Sequence, residues 1–154
     1  MQKNIITSFF GPQIYSEFRK VDLLKTIRNS FPQIKNFNSS YLHIVESKNN
    51  LTSEELKTIK KILIYGENIK EKKSLRNIIF IGPRIGTLSP WSSRATDIIQ
   101  HCGINILKIE RIKSYSFELN SNATLAKNQR GILGELLFDR MTESIFLEEE
   151  DINK

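Results

Sequence analysis

The sequence predicts an α/β or α+β sandwich, in which helices cover a β-sheet. Stretches with strand-like and helix-like apolar spacing alternate through the whole chain, which is the pattern of such folds. The chain has 154 residues, of which 39% are hydrophobic and 26% are charged. A chain of this length and composition is expected to build one core without disulfides or a structural metal.

The first half of the chain predicts two strand–helix pairs. A short strand over residues 4–8 should be ended by Gly11-Pro12, since proline disfavours helix in the residue before it. A helix over 16–30 and a strand over 37–46 follow. Thr52 and Glu55 then have capping-box spacing, which predicts a helix ending near Gly66. The apolar face of the first helix is expected to hold Phe18, Val21, Leu24, Ile27 and Phe31.

The second half predicts the same order of elements. The apolar run from Ile78 to Ile81 stops at Gly82-Pro83, which indicates a strand in the sheet centre. A helix beginning near Trp91 should end at Gly103. Residues 104–119 predict one long bent strand or a hairpin, and a helix over 124–141 precedes a last strand over 143–147. The two helices should bury Ala95, Ile98, Ile99 and Cys102, and Leu125, Ile132, Leu136 and Leu137, respectively.

Charge and cysteine content narrow the class of protein. A net charge of +6 is compatible with nucleic-acid binding, but the abundance of Lys, Asn and Ile is also what an A+T-rich genome produces. A single cysteine leaves no intramolecular disulfide and no Cys-based zinc cluster. The start lacks the apolar core of a secretory signal and no apolar run is of membrane-spanning length, so the expected address is the cytoplasm. Lysines read as a solvated face are Lys57, Lys60, Lys61, Lys70, Lys72 and Lys73.

Catalytic signatures are missing from the sequence. The spacings of a phosphate-binding loop, a zinc protease and a nucleophile elbow are all absent. His43 and His101 have no Cys or carboxylate at ligand spacing, so structural roles are favoured for them. Cys102 lies on an apolar helical face, which favours a buried thiol.

The segment from Gly82 to Asp97 is the exception, because it leads from a strand exit through a loop into a helix. Ser89 can cap that helix and Pro90 suits its first position, so the helix start could receive an anion. Simple helix capping explains the same spacing, and both interpretations stay open. Trp91 could anchor an interface or cover the core. Side chains that could add phosphate donors are Arg84, Arg94, Thr87, Ser92 and Ser93.

Residues 83–97 read Pro-Arg-Ile-Gly-Thr-Leu-Ser-Pro-Trp-Ser-Ser-Arg-Ala-Thr-Asp, and Asp139 to Glu143 read Asp-Arg-Met-Thr-Glu. Both segments resemble signatures of the amino-terminal region of the large, single-chain formylglycinamide ribonucleotide amidotransferases. Cys102-Gly103 and Glu110-Arg111 fit the same family pattern between them. The resemblance runs over essentially the whole chain and is carried by two long motifs in the correct order.

The resemblance implies a part of a cytoplasmic purine-synthesis ligase that makes formylglycinamidine ribonucleotide from formylglycinamide ribonucleotide, glutamine, ATP and water. In that family, ATP and magnesium are held by a downstream synthetase region, and a carboxy-terminal glutaminase releases ammonia. The amino-terminal domain resembles two fused copies of a small accessory subunit, which implies a duplicated unit with an antiparallel sheet and about four helices. Catalytic residues, cofactors and metals are therefore not expected in this chain.

We accordingly expect a non-catalytic docking domain over residues 1–147, with an acidic tail or linker over 148–154. Its expected partners are the synthetase and glutaminase domains, in cis or in trans, and no membrane or nucleic acid. An excised domain, a separately encoded subunit and a gene remnant all stay open. The alternative function is a free-standing basic module that binds RNA or a nucleotide. Residues expected near the substrate or at the domain interface are Arg84, Thr87, Ser89, Trp91, Ser92, Ser93 and Thr96.

Overall fold

Five strands and four helices alternate along the part of the chain that the computed structural model describes, which is residues 3–63, 77–84, 86–120 and 124–147. The predicted helix end at Gly66, the lysines at 70, 72 and 73 and the tail over 148–154 lie outside these residues. The strands are β1 (Ile5–Gln13), β2 (Ile34–Ser47), β3 (Ile78–Pro83), β4 (Lys108–Leu119) and β5 (Glu143–Phe146). The helices are α1 (Glu17–Ser30), α2 (Ser53–Ile62), α3 (Pro90–His101) and α4 (Lys127–Glu135).

The strands form a single sheet in the order β1-β2-β4-β3-β5, and every neighbouring pair is antiparallel. This confirms the α+β class. β4 is the central strand, and β3 lies inside the sheet next to the edge strand β5. The internal duplication of the domain stays a prediction.

All four helices pack on one face of the sheet. Strand alternation places Phe37, Val45, Ile109 and Phe117 on that face. The core cluster around Phe37 and Phe117 receives α1 and α4, while the core cluster around Val45 and Ile109 receives α2 and α3. The opposite face of the sheet carries a third, smaller cluster, formed by Leu42, Phe80 and Ile112.

Strand β1 does not end at Gly11-Pro12 as predicted, but continues to Gln13. Because β1 is an edge strand, Pro12 interrupts no ladder on its outer side, and the register with β2 shifts between Phe10 and Gln13. Gly11 is required by packing, since a Cβ at this position would collide with the His43 ring. The glycine and proline therefore shape the strand rather than terminate it.

The buried face of α1 differs from the predicted one. Ile27 and Phe31 are buried, but Phe18 is 84% exposed and Val21 is 53% exposed. A residue turns by about 100° around the helix axis, so each three-residue step drifts by about 60°, and three steps carry Phe18 to the side opposite Ile27. Leu24 packs against the core as predicted, and Leu23 takes an inward position that the prediction did not include.

The burial predicted for α4 and α3 is also wrong in part, and Ile98 of α3 is 53% exposed. Helix α4 is shorter than expected and buries Leu133, while Ile132 and Leu136 are exposed. Helix α3 ends at His101, so the thiol of Cys102, at the C-cap, is exposed rather than buried. Gly103 does have the predicted left-handed backbone, with φ of 84°.

Candidate functional site

The loop after β3 begins with a turn that the side chain of Thr87 closes. The Thr87 N–H and hydroxyl both donate to the carbonyl oxygen of Arg84, at 2.9 and 2.6 Å. Gly86 has φ of 84°, a left-handed conformation that glycine adopts without steric cost. Gly86 and Thr87 thus set the direction of the loop, while the side chain of Arg84 is exposed.

The start of α3 is capped as predicted, and its donors are largely satisfied within the domain. Ser89 Oγ accepts the Ser92 N–H at 3.0 Å, and the Ser89 carbonyl accepts the Ser93 N–H at 3.2 Å. Pro90, at the first helical position, has no N–H. The Ser89 hydroxyl donates to Glu110 Oε1 at 2.7 Å, and its N–H lies 3.4 Å from Glu110 Oε2. A carboxylate of the chain itself therefore lies at this helix end, where the helix dipole favours negative charge.

Ser92 and Thr96 attach α3 to the central strand β4. The buried Ser92 hydroxyl donates to the Ile109 carbonyl at 2.5 Å, and the Ile109 N–H donates to Thr96 Oγ1 at 3.1 Å. The pairs between β3 and β4 end at Ile81 and Lys113, so the backbone of Ile109 lies beyond the reach of β3. The Ser92 and Thr96 hydroxyls therefore form the hydrogen bonds with the Ile109 backbone that a neighbouring strand would otherwise form.

Trp91 lies between the core and the surface, in a stack of rings on the helix-covered face of the sheet. The Arg111 guanidinium lies 4.8 Å from the Trp91 ring centre and 4.5 Å from that of Tyr41. The His43 and Trp91 rings stack with centroids 5.8 Å apart. The ring of Phe9, on β1, lies with its centroid 5.0 Å from that of His43. Trp91 is half-buried and packs against the cluster around Val45 and Ile109.

His43 is fully buried in this stack, in line with the structural role that the sequence favoured for it. Burial lowers its pKa from 6.5 to about 4, and the positive charge of Arg111 adds to the effect, while a hydrogen bond with the Phe9 backbone opposes it. The imidazole is therefore neutral at neutral pH. It acts as a packing group that links β1, β2 and α3.

Residues 139–143 form a turn that closes on itself. The Asp139 N–H donates to Glu143 Oε1 at 3.0 Å, and the Glu143 N–H donates back to the Asp139 carbonyl at 2.8 Å. Asp139 Oδ1 accepts the Met141 N–H at 2.9 Å. The two acidic ends of this segment thus hold the turn, while Arg140, Met141 and Thr142 are exposed on it.

The two sequence motifs meet in space. Pro83 pairs with Glu143 where β3 lies beside β5, and the Arg84 N–H donates to the Thr142 carbonyl at 3.1 Å. Glu143 also forms an ion pair with Lys113 of β4, at 3.2 Å. We call the surface made by residues 84, 86–89 and 139–143 the motif surface.

The seven predicted site residues divide into three groups by their contacts. Thr87, Ser89, Ser92 and Thr96 form bonds that maintain the loop or the position of α3. Arg84 and Ser93 have exposed side chains without a hydrogen bond to the residues that the structure describes. Trp91 is half-buried and stacks on the His43 ring. Sequence reasoning missed the contact of Glu110 with Ser89 and the 55% exposure of Leu88. An acidic residue following the buried Ile109 in a strand gave no local signal of a contact with a helix start.

A pocket of about 260 Å³ lies between the edge strand β1 and helix α2, beside the ring stack, and is lined by Phe9, Phe10, Gly11, Pro12, His43, Lys60, Lys61 and Leu63. Among the described residues, no group of three or more His, Cys, Asp and Glu side chains is placed to hold a metal ion. No described helix combines the length and apolar character needed to cross a membrane.

Comparison with known proteins gives one family. The family model described as formylglycinamide ribonucleotide amidotransferase N-terminal matches residues 40–154. The match begins within β2 and includes β3, α3, β4, α4 and β5, and so includes the whole motif surface. It covers about three-quarters of the chain.

Proposed function

This chain belongs to the formylglycinamide ribonucleotide amidotransferase N-terminal family, and on that premise we propose that it is a non-catalytic docking domain of the ligase. The family gives it a role in an enzyme of purine biosynthesis. The proposal adds that the motif surface faces the synthetase part of that enzyme and supports ammonia transfer from the glutaminase.

One observation carries the proposal. Two motifs about 40 residues apart in sequence form one surface, and their exposed side chains make few contacts inside the domain. Side chains that stabilise a fold are expected to be buried or bonded, as Ser92 is. An exposed surface that is held in place by hydrogen bonds within the domain is the arrangement expected of a docking site.

The reaction itself is assigned to other parts of the enzyme. Binding of ATP and magnesium, the glutaminase chemistry and a cytoplasmic location belong to the proposal as properties of the complete enzyme. Within this chain, the Glu110 carboxylate at the start of α3 takes the position that a bound anion would need. This supports docking over substrate binding as the role of the motif surface.

Complementation tests the proposal. A family enzyme made without its amino-terminal domain would be mixed with this chain, and formation of formylglycinamidine ribonucleotide from glutamine and ATP would be measured. We expect activity to return, and to fall with Arg84→Ala and Trp91→Ala. Arg19→Ala, at an exposed position of α1, is the control and should leave the activity unchanged.

Two results would count against these assignments. Full activity in both motif variants would remove the site assignment, and no recovery with the unmodified chain would remove the docking role. The alternative of an RNA-binding module makes a different prediction, namely tight binding to mixed RNA that weakens steeply with salt. Negligible RNA binding would eliminate that alternative.

A further inference from the structure

The carboxylates of the motif surface are occupied by bonds within the domain. Glu143 is paired with Lys113 and also accepts the Asp139 N–H. Asp139 accepts the Met141 N–H, and the neighbouring Glu110 accepts from Ser89. Glu143 and Glu110 are in addition half-buried, whereas Asp139 is exposed and accepts the Met141 N–H.

The arginines of the same surface are directed outward. Arg84 and Arg140 are both exposed, and neither side chain has a hydrogen bond or ion pair with any residue in the described ranges. The Arg84 N–H to Thr142 carbonyl bond connects their two loops, so the two arginines lie on adjacent loops of the motif surface. The charged side chains of the motif surface that have no partner among the described residues are therefore both cationic.

Two large apolar side chains accompany the arginines. Leu88 is 55% exposed and Met141 is 79% exposed. Leu88 lies in the loop of Arg84, and Met141 directly follows Arg140 in the chain. Arg and Met are both enriched at protein–protein interfaces relative to the rest of the protein surface.

We propose that the motif surface binds an acidic protein surface with an apolar recess, through Arg84 and Arg140 together with Leu88 and Met141. The inference rests on the proposed docking function and names the chemistry of the partner. A phosphate group fits less well, because small-ligand sites are concave with converging donors, whereas these arginines stand on exposed loops beside apolar side chains. Charge complementarity would set the rate and specificity of association, and Leu88 and Met141 would provide apolar burial.

Charge reversal tests the inference. The affinity of this chain for the family enzyme lacking its amino-terminal domain would be measured by calorimetry at low and high salt. We expect the double variant Arg84→Glu/Arg140→Glu to bind at least about tenfold more weakly, and Met141→Ser to weaken binding with little change in salt dependence. The matched control, Arg19→Glu/Arg28→Glu at two exposed positions of α1, should bind within about twofold of the parent chain.

The outcomes separate this inference from the proposed function. If the parent chain associates but the charge-reversed variant binds equally well, the acidic-partner inference is overturned while docking stands. If the parent chain does not associate, both fail. Saturable binding of inorganic phosphate that is lost in Arg84→Glu and competes with the partner would also overturn the inference, in favour of a phosphate ligand. Circular dichroism on each variant establishes that loss of affinity does not arise from unfolding.

Discussion

Protonation of His43 should destabilise the domain as the pH falls below neutrality. The pKa of the buried imidazole is lowered to about 4, against 6.5 in the unfolded chain, by burial and by the charge of Arg111. Above pH 6.5 the His43 imidazole is neutral in both the folded and the unfolded state, so it takes nothing from the stability of the domain. Between pH 6.5 and about 4 the unfolded state takes up a proton that the folded state refuses, so the free energy of unfolding decreases.

The magnitude follows from the interval between the two pKa values. At about 1.4 kcal/mol for each pH unit, the loss reaches about 3 kcal/mol by pH 4, and no further loss arises from this group at lower pH. A loss of that size is large against the 5–15 kcal/mol or so that is typical of a domain.

Urea unfolding at several pH values measures this effect, with the fluorescence of Trp91, the single tryptophan, as the signal. His43→Phe and His43→Gln remove the titration, while the surface carboxylates and the exposed His101 are common to all three proteins. We expect the parent chain to lose stability more steeply than either variant between pH 6.5 and 4. Parallel curves for the parent chain and both variants would refute the assignment of the pH dependence to His43.

Two further substitutions test the contacts that build the site, each with a matched control in the same chain. Gly11→Ala should destabilise the domain by about 1–3 kcal/mol, because its Cβ would collide with the His43 ring, whereas Gly131→Ala, which meets open space in α4, should stabilise it by up to about 1 kcal/mol. Equal changes in melting temperature for Gly11→Ala and Gly131→Ala would contradict the close approach of Gly11 to the His43 ring. Ser92→Ala should cost about 1–3 kcal/mol, because it leaves the buried Ile109 carbonyl without its donor, and Ser93→Ala at the exposed neighbour should cost less than about 0.5 kcal/mol. Equal denaturant midpoints for the two serine variants would show that the Ser92 bond contributes nothing.

Features that depend on neighbours in sequence could be predicted from the sequence. The capping box of Thr52 and Glu55 forms as expected, and Ser89 caps α3 with Pro90 at the first helical position. Such signals lie within three or four residues of one another, so no knowledge of the fold is needed to read them. The left-handed turn at Gly103 belongs to the same class.

Features that depend on the assembled sheet could not be predicted. Pro12 is tolerated within β1 only because β1 lies at the sheet edge, and this order emerges from pairings between distant strands. The contact of Glu110 with Ser89 spans 21 residues, and the meeting of Arg84 with Thr142 requires β5 to pair with β3. The residues of the candidate site were identified from motifs, but their division into bonded and outward-facing side chains required the fold.

The motif surface exists only while the short strand β5 stays paired with β3. β5 has four residues and pairs only with β3 among the described strands, and Arg130 ties its end to β3 by donating to the carbonyls of Ile78 and Leu147 at 3.1 and 3.0 Å. If β5 detaches, Arg84 and Thr142 separate, and the surface ceases to exist while the rest of the sheet stays folded. A partner that binds both loops must therefore also stabilise β5, so slowed hydrogen exchange at residues 144–146 would report docking from positions outside the motif surface itself.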